Sequence, residues 1–283
     1  PPVLLKRYAY GYDPAGNRTR EQIDDAVTTA THDALNRLQA HAPGGLLTFA
    51  GTLSEPGRVT VQGQPLPLDG TNSFRGWAPV SSGTNVVAVS ATDASGNSVT
   101  KQYQVNGAGG SATFTSDLNS NLTSDGTRTF EWDAKNRLVA ITSGTVRSEF
   151  IYDGQDRRVR IVEKSDGVVS RDAIAIWDDA EIIEERVSTG IVNRFFGDGE
   201  QDGGQPRFVT RDHLGSVRET TDSFAAVTSR NAYDPYGRLT RVGGGEDSHF
   251  GFTGLDIHQA SSLVFARYRV YSPSIGRWLS EDP

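Results

Sequence analysis

Phe130-Glu131-Trp132 alternates apolar and polar positions, stops for four residues, and resumes in Arg137-Leu138-Val139-Ala140-Ile141. A period of two over a short run marks a half-buried strand. The interruption is Asp133-Ala134-Lys135-Asn136, and the same arrangement returns elsewhere: Tyr12-Asp13-Pro14-Ala15-Gly16, His32-Asp33-Ala34-Leu35-Asn36, Tyr152-Asp153-Gly154-Gln155-Asp156 and Tyr233-Asp234-Pro235-Tyr236-Gly237. A degenerate copy, Tyr271-Ser272-Pro273-Ser274-Ile275-Gly276, stands near the C-terminus.

This pattern predicts a hairpin turn. Asp13, Asp33, Asp133, Asp153 and Asp234 hold its first position, where a carboxylate accepts from backbone N–H groups two or three residues on. Pro14 and Pro235 fix φ at about −65°. Gly16, Asn36, Asn136 and Gly237 hold the fourth position, where a residue tolerant of positive φ makes the bulge that closes the hairpin. Asp13 and Asp33 are 20 residues apart, as are Asp133 and Asp153. Such a unit buries little alone, so its neighbours must stack.

Residues 44–106 break the pattern. They are rich in Thr, Val and Ser, and Leu46–Ala50, Arg58–Gln62, Val86–Ser90 and Ser98–Val105 read as strands. Asp93 to Asn97 reads as the turn between the last two, and Trp77 as a plug for the core of a small sandwich. Asn106 to Ser111 reads as a flexible exit. Beyond residue 112 the hairpin texture returns. Ala173 to Arg186 reads as two strands around an acidic turn or as a short helix, Asp212 to Gly215 as another turn, and residues 197–204 and 243–245 as loops.

Composition narrows the function. Nine Tyr, twelve Phe and four Trp are too many for a disordered chain, and 31 Gly with 12 Pro punctuate many short elements. A net charge of −7 does not suit a phosphate backbone, so nucleic acid is not an expected partner. No apolar run approaches the roughly 18 residues of a membrane span. The absence of Cys removes disulfides and thiolate chemistry, and the five His lack zinc-helix spacing, so no metal and no cofactor are expected. The opening Pro1-Pro2 suggests a chain cut from something longer. Asp212, His213 and Ser216 are adjacent in sequence, which is turn chemistry rather than a catalytic triad. The acidic stretch Asp178-Asp179-Ala180-Glu181 through Glu184-Glu185 lacks the ligand spacing of a calcium loop and reads as a solvated strand edge.

The turns resemble RHS/YD repeats. "RDHLGSVRETTD", "YDPYGR", "GFTGLD" and "ARYRVYSPSIGRWLSEDP" resemble the RHS repeat-associated core domain, and "TNVVAVSATDASGNSVTKQYQV" resembles bacterial immunoglobulin-like modules. The resemblance implies an all-β fold: a hairpin array forming a curved sheet or shell segment, with an inserted immunoglobulin-like sandwich. The implied divisions are 1–43 YD repeats, 44–106 sandwich, 107–111 linker, 112–240 YD/RHS repeats and 241–283 core. It also implies a secreted or cell-surface bacterial scaffold whose partner is a C-terminal effector, often a toxin, of the same parent chain. The other reading is a surface adhesin whose aromatics bind carbohydrate. In the family the core cuts the chain by aspartyl-type autoproteolysis, and aligning Gly276-Arg277 assigns Arg269 and Asp282 to that apparatus. The second Asp and the scissile bond belong to a later "DPxGL" motif. This chain stops at Pro283, so it is expected not to act as an enzyme. Arg269 and Asp282 would serve equally as a structural ion pair.

Overall fold

The computed structural model describes residues 6–107, 109–187, 192–245 and 248–282. Among them there is no α-helix; a single 3-10 turn, Phe252–Gly254, interrupts a chain of antiparallel strands. The protein divides into two units, Pro1–Thr115 and Ser116–Pro283.

In the first unit β1 (Tyr8–Tyr12), β2 (Arg18–Ile23), β3 (Ala26–His32) and β4 (Leu38–Pro43) pair in chain order. Then β5 (Gly45–Thr52), β6 (Gly57–Val61), β7 (Gln64–Leu66), β8 (Ser73–Val80), β9 (Gly83–Asp93) and β10 (Ser98–Gly107) intervene. They form a sheet ordered β10-β9-β6-β7 and a ribbon β5-β8. The chain then returns: β11 (Ala112–Thr113) pairs Ala112 with His41 and Thr113 with Ala40, on the free edge of β4. Of the expected linker, Ala108 lies outside the described residues.

Leu47, Val61, Ala78, Val80, Val87 and Val105 bury one cluster, which Val27 of β3 joins. The Gln22 side chain reinforces it, accepting from Thr48 N–H at 2.8 Å and donating to the Thr48 carbonyl at 3.3 Å. Trp77, expected as the core plug, is 55% exposed. The period of β8 decides this: Gly76, Ala78 and Val80 face inward, so Trp77 faces out.

The second unit continues the hairpin texture. From β12 (Thr115–Ser116) at the boundary, a fourteen-stranded sheet runs in strict chain order. It passes through β13 (Leu122–Ser124), β14 (Thr129–Trp132), β15 (Leu138–Ser143), β16 (Val146–Tyr152), β17 (Arg158–Ser165), β18 (Val168–Asp178) and β19 (Glu181–Val187). It ends with β20 (Val192–Phe196), β21 (Gly199–Asp202), β22 (Gln205–Arg211), β23 (Val217–Thr221), β24 (Val227–Tyr233) and β25 (Leu239–Gly244). A second sheet of four strands follows: β26 (Asp256–His258), β27 (Leu263–Phe265), β28 (Val270–Ser272) and β29 (Arg277–Trp278).

Several sequence expectations change here. The glycine-rich stretch 197–204 is a hairpin rather than a loop, with β21 inside it, and Gly243 and Gly244 end a strand. The acidic stretch is not an edge. β19 is paired on both sides, and Glu185 is buried.

The expected turn is present at Asp13, Asp33, Asp133, Asp153 and Asp234, and also at Asp69, Asp93, Asp117, Asp212 and Asp222. Its geometry is constant. At Asp133, Oδ1 accepts from the N–H groups of Lys135 at 2.9 Å and Arg137 at 3.0 Å. The Asp133 N–H donates to the Arg137 carbonyl, and Asn136 N–H to the Asp133 carbonyl, both at 3.0 Å. The residue three after the Asp has positive φ: Gly16 at 85°, Asn36 at 62°, Asn136 at 58°, Asp156 at 61° and Gly237 at 85°. The ladder slips one residue beside the turn, as between Glu131 and Trp132, which is the expected bulge.

Gly16 and Gly237 share their φ but not their surroundings. A Cβ on Gly16 meets nothing within 4 Å, whereas one on Gly237 comes to 2.4 Å from Cδ1 of Phe252. Gly16→Ala should therefore cost about 1 kcal/mol, the left-handed penalty alone. Gly237→Ala should cost about 1 kcal/mol more, because Phe252 must move. Equal shifts in the urea midpoints of the two variants would show that Phe252 does not seal this turn.

Candidate functional site

In the second unit, residues of the fourteen-stranded sheet and of the C-terminal segment together line a cavity of about 590 Å3. The YD turns supply one wall. At Asp133 and Asp153 the aromatic before the Asp lines the cavity and fixes itself one strand back: Trp132 Nε1 donates to the Leu122 carbonyl at 2.7 Å, and the Tyr152 hydroxyl to the Leu138 carbonyl at 2.8 Å. Trp177 Nε1 likewise donates to the Arg158 carbonyl at 2.9 Å. Burial pushes the Tyr152 phenol up to about 12, so it stays a neutral donor. Arg137, four residues after Asp133, stacks 4.8 Å from the Tyr152 ring centroid and pairs with Asp133 and Asp156. Hydrogen bonds to neighbouring strands are what orient these aromatics.

The other wall comes from residues 250–270. Phe265 lies beneath Arg158, whose guanidinium is 4.1 Å from the ring centroid and pairs with Asp256. Arg267, Tyr268 and Arg269 follow in the turn between β27 and β28, which Ala266 N–H closes by donating to the Arg269 carbonyl at 3.0 Å.

The two residues singled out by resemblance are brought together. Arg269 Nε lies 3.3 Å from Asp282 Oδ1, and the guanidinium stacks 4.2 Å from the Trp278 ring centroid. The Asp282 side chain is 77% exposed. Proton sharing needs two carboxylates held close together, and this pair supplies one. Asp212 and Ser216 are spent on structure: Asp212 Oδ1 accepts from the Leu214 and Ser216 N–H groups, and the buried Ser216 hydroxyl accepts from Thr253 N–H at 2.9 Å.

Two buried polar clusters tie the C-terminal segment to the sheet, and the sequence did not pair their members. His258 Nε2 meets Glu163 Oε1 at 2.6 Å, its Nδ1 meets the Ser261 hydroxyl at 2.7 Å, and Ser148 donates to Glu163 Oε2 at 2.6 Å. Burial alone would raise the Glu163 carboxyl; the bonds from His258 and Ser148 outweigh it and hold the group below its ordinary value. In the second cluster, Glu185 Oε2 accepts from Arg171 at 2.6 Å and lies 3.3 Å from His249 Nε2. Glu200 accepts from the Ser248 hydroxyl at 2.9 Å and His249 N–H at 3.0 Å, and pairs with Arg207. The sequence signal was two His, His249 and His258, nine residues apart in the C-terminal segment.

Residues 200–283 match the family model described as Teneurin YD-shell. This matched stretch is similar to that family. It contains the end of the long sheet, the four-stranded C-terminal sheet and the Arg269–Asp282 pair. Over 180 residues the protein is 26% identical to the tRNA nuclease WapA of Bacillus subtilis, an alignment covering 59% of this chain and 8% of that protein. Over 195 residues it is 20% identical to double-stranded DNA deaminase toxin A of Burkholderia cenocepacia, covering 56% of this chain and 14% of that one. A solved Tc holotoxin pore of Photorhabdus luminescens shares the fold, with a TM-score of 0.50 and 18% identity over 99% of this chain and 16% of that one. The chain thus spans a small fraction of each relative, and residues 200–283 are the part that matches the family model.

Proposed function

We propose that the protein is a stretch of wall from a longer bacterial shell protein, a secreted or surface-displayed scaffold that encloses and presents an effector polypeptide of the same parent chain. The observation that carries this reading is the sheet of fourteen antiparallel strands in chain order, stitched by one repeated Asp turn and closed by the stretch that matches the YD-shell family model. A meander of this kind extends by adding hairpins, and each added hairpin buries the face of the last. That is the physics of a wall rather than of a compact catalytic domain. The toxin and nuclease names of the relatives support an effector as cargo. In this reading residues 44–106 are an immunoglobulin-like spacer set into the wall, and the chain itself performs no chemistry. In the same reading Arg269 and Asp282 belong to an apparatus whose second Asp and scissile bond lie in a "DPxGL" motif of a longer chain.

The test is protease protection of the parent protein. With the wall intact, the segment C-terminal to this chain should survive a protease dose that digests it when the turns at Asp133 and Asp153 are broken together by Asp→Ala changes. Equal digestion in both proteins would sink the reading. In that same parent, Asp282→Asn should abolish self-cleavage if the resemblance holds, while leaving protection intact.

A further inference from the structure

We propose that the cavity of the second unit is a binding site for an organic carboxylate with a flat aromatic or apolar body. The case rests on an imbalance of charge among the residues that line it. Five arginines line the cavity, Arg137, Arg158, Arg211, Arg267 and Arg269, against two carboxylates, Glu181 and Asp256. Three of the arginines have partners: Arg137 pairs with Asp133 and Asp156, Arg158 with Asp256, and Arg269 with Asp282. Arg211 and Arg267 have none within 4.0 Å among the described residues; Arg211 reaches only the Gly197 carbonyl.

The donors left over are buried ones. Nε of Arg267 is buried with no hydrogen-bond partner. So is Nε of Arg158, a residue only 6% exposed that lines the same cavity. A buried donor without an acceptor is costly, and a guanidinium fork fits a carboxylate with two parallel bonds. The remaining surface suits the body of such a ligand. Trp132, Trp177, Phe196 and Tyr268 line it, and Phe196 and Tyr268 are more than half exposed. A volume of about 590 Å3 falls in the range of about 300–1,000 Å3 typical of small-molecule sites. The site is independent of the shell reading, since it depends only on the packing of the C-terminal segment on the sheet.

Two sources share this chemistry: a free aromatic acid, and an acidic-aromatic stretch of polypeptide. Calorimetric titration of the whole chain separates them, with 1-naphthoate as the free acid and acetyl-glutamyl-phenylalanine amide as the peptide. Naphthoate should bind with 1:1 stoichiometry, and the neutral analogue 1-naphthalenemethanol at least tenfold more weakly. Arg267→Gln and Arg211→Gln should each weaken naphthoate at least tenfold; Arg211 meets only the Gly197 carbonyl and Arg267 only the Tyr268 ring, so neither change breaks an ion pair and each should shift the melting temperature little. Binding of naphthoate alone assigns the site to small acids, and binding of both at similar strength assigns it to polypeptide. Equal binding of the neutral analogue, wild-type binding by both variants, or no binding of either anion would overturn the proposal.

Discussion

Phe265→Ala should destabilise the second unit by about 3–5 kcal/mol, the cost of emptying a buried aromatic site. Phe265 is 5% exposed, and its ring centroid lies 5.0 Å from that of Phe150 on β16 and 5.7 Å from that of His258. The ring also lies 4.1 Å from the Arg158 guanidinium, a cation–π contact worth about 0.5–2 kcal/mol. Its loss therefore removes a packing contact between the C-terminal segment and the sheet and leaves Arg158 with less to hold it. Phe265→Leu, which keeps most of the apolar volume, should cost clearly less. Urea unfolding followed by fluorescence measures both. If Phe265→Ala falls within 1 kcal/mol of wild type, as an order-of-magnitude bound from surface substitutions, then β27 does not anchor the C-terminal sheet.

Glu185→Gln should cost about 3 kcal/mol, at the lower end for a broken buried ion pair because Arg171 is 35% exposed and turns to water. For a unit of this size that corresponds to a fall in Tm of roughly 6–12 °C. The effect should depend on pH in a defined way. Burial alone would raise the Glu185 carboxyl, but His249 and Arg171 more than offset it and draw the group down to about 2. Burial alone would lower His249, but Glu185 outweighs it with help from Glu200 and Asp256, and the imidazole rises above its ordinary 6.5. A depressed carboxyl contributes stability above its unfolded value of 4.5 and loses it as pH falls toward about 2. A raised imidazole contributes stability below 6.5 and loses it as pH rises through its higher folded value. The gap between wild type and Glu185→Gln should therefore be widest between pH 4.5 and 6.5 and shrink on both sides. A gap that is flat from pH 3 to 9 would contradict the pairing.

The same residues show where sequence reasoning reached and where it stopped. The turns at Asp93 and Asp212 are legible in the sequence, and those at Asp69, Asp117 and Asp222, preceded by Leu68, Ser116 and Thr221, emerge only in the structure. All form the same turn, since its geometry needs only the carboxylate and a residue at positive φ; Ser120 at 65° and Ala225 at 61° suffice. Where the aromatic is present at Asp133 and Asp153, Trp132 and Tyr152 line the cavity and bond to the neighbouring strand, which the turn itself does not require. The Arg269–Asp282 pair was legible by resemblance, and the structure adds its exposure and the Trp278 stack.

Local chemistry is thus what the sequence by itself determined: the Asp turns, the strands between them and the all-β class follow from short windows of chain, although the carboxylates accept from N–H groups two and four residues on rather than two or three. Burial and partnership were left to the tertiary structure. Glu185 is buried because β19 is flanked by β18 and β20 and covered by His249, 64 positions further along; Glu163 meets His258 across 95 residues; Trp77 faces out because Ala78 and Val80 face in. A residue's charge and shape are written in the chain, but the cost of desolvating it depends on which distant strand comes to lie against it, and only the folded protein settles that.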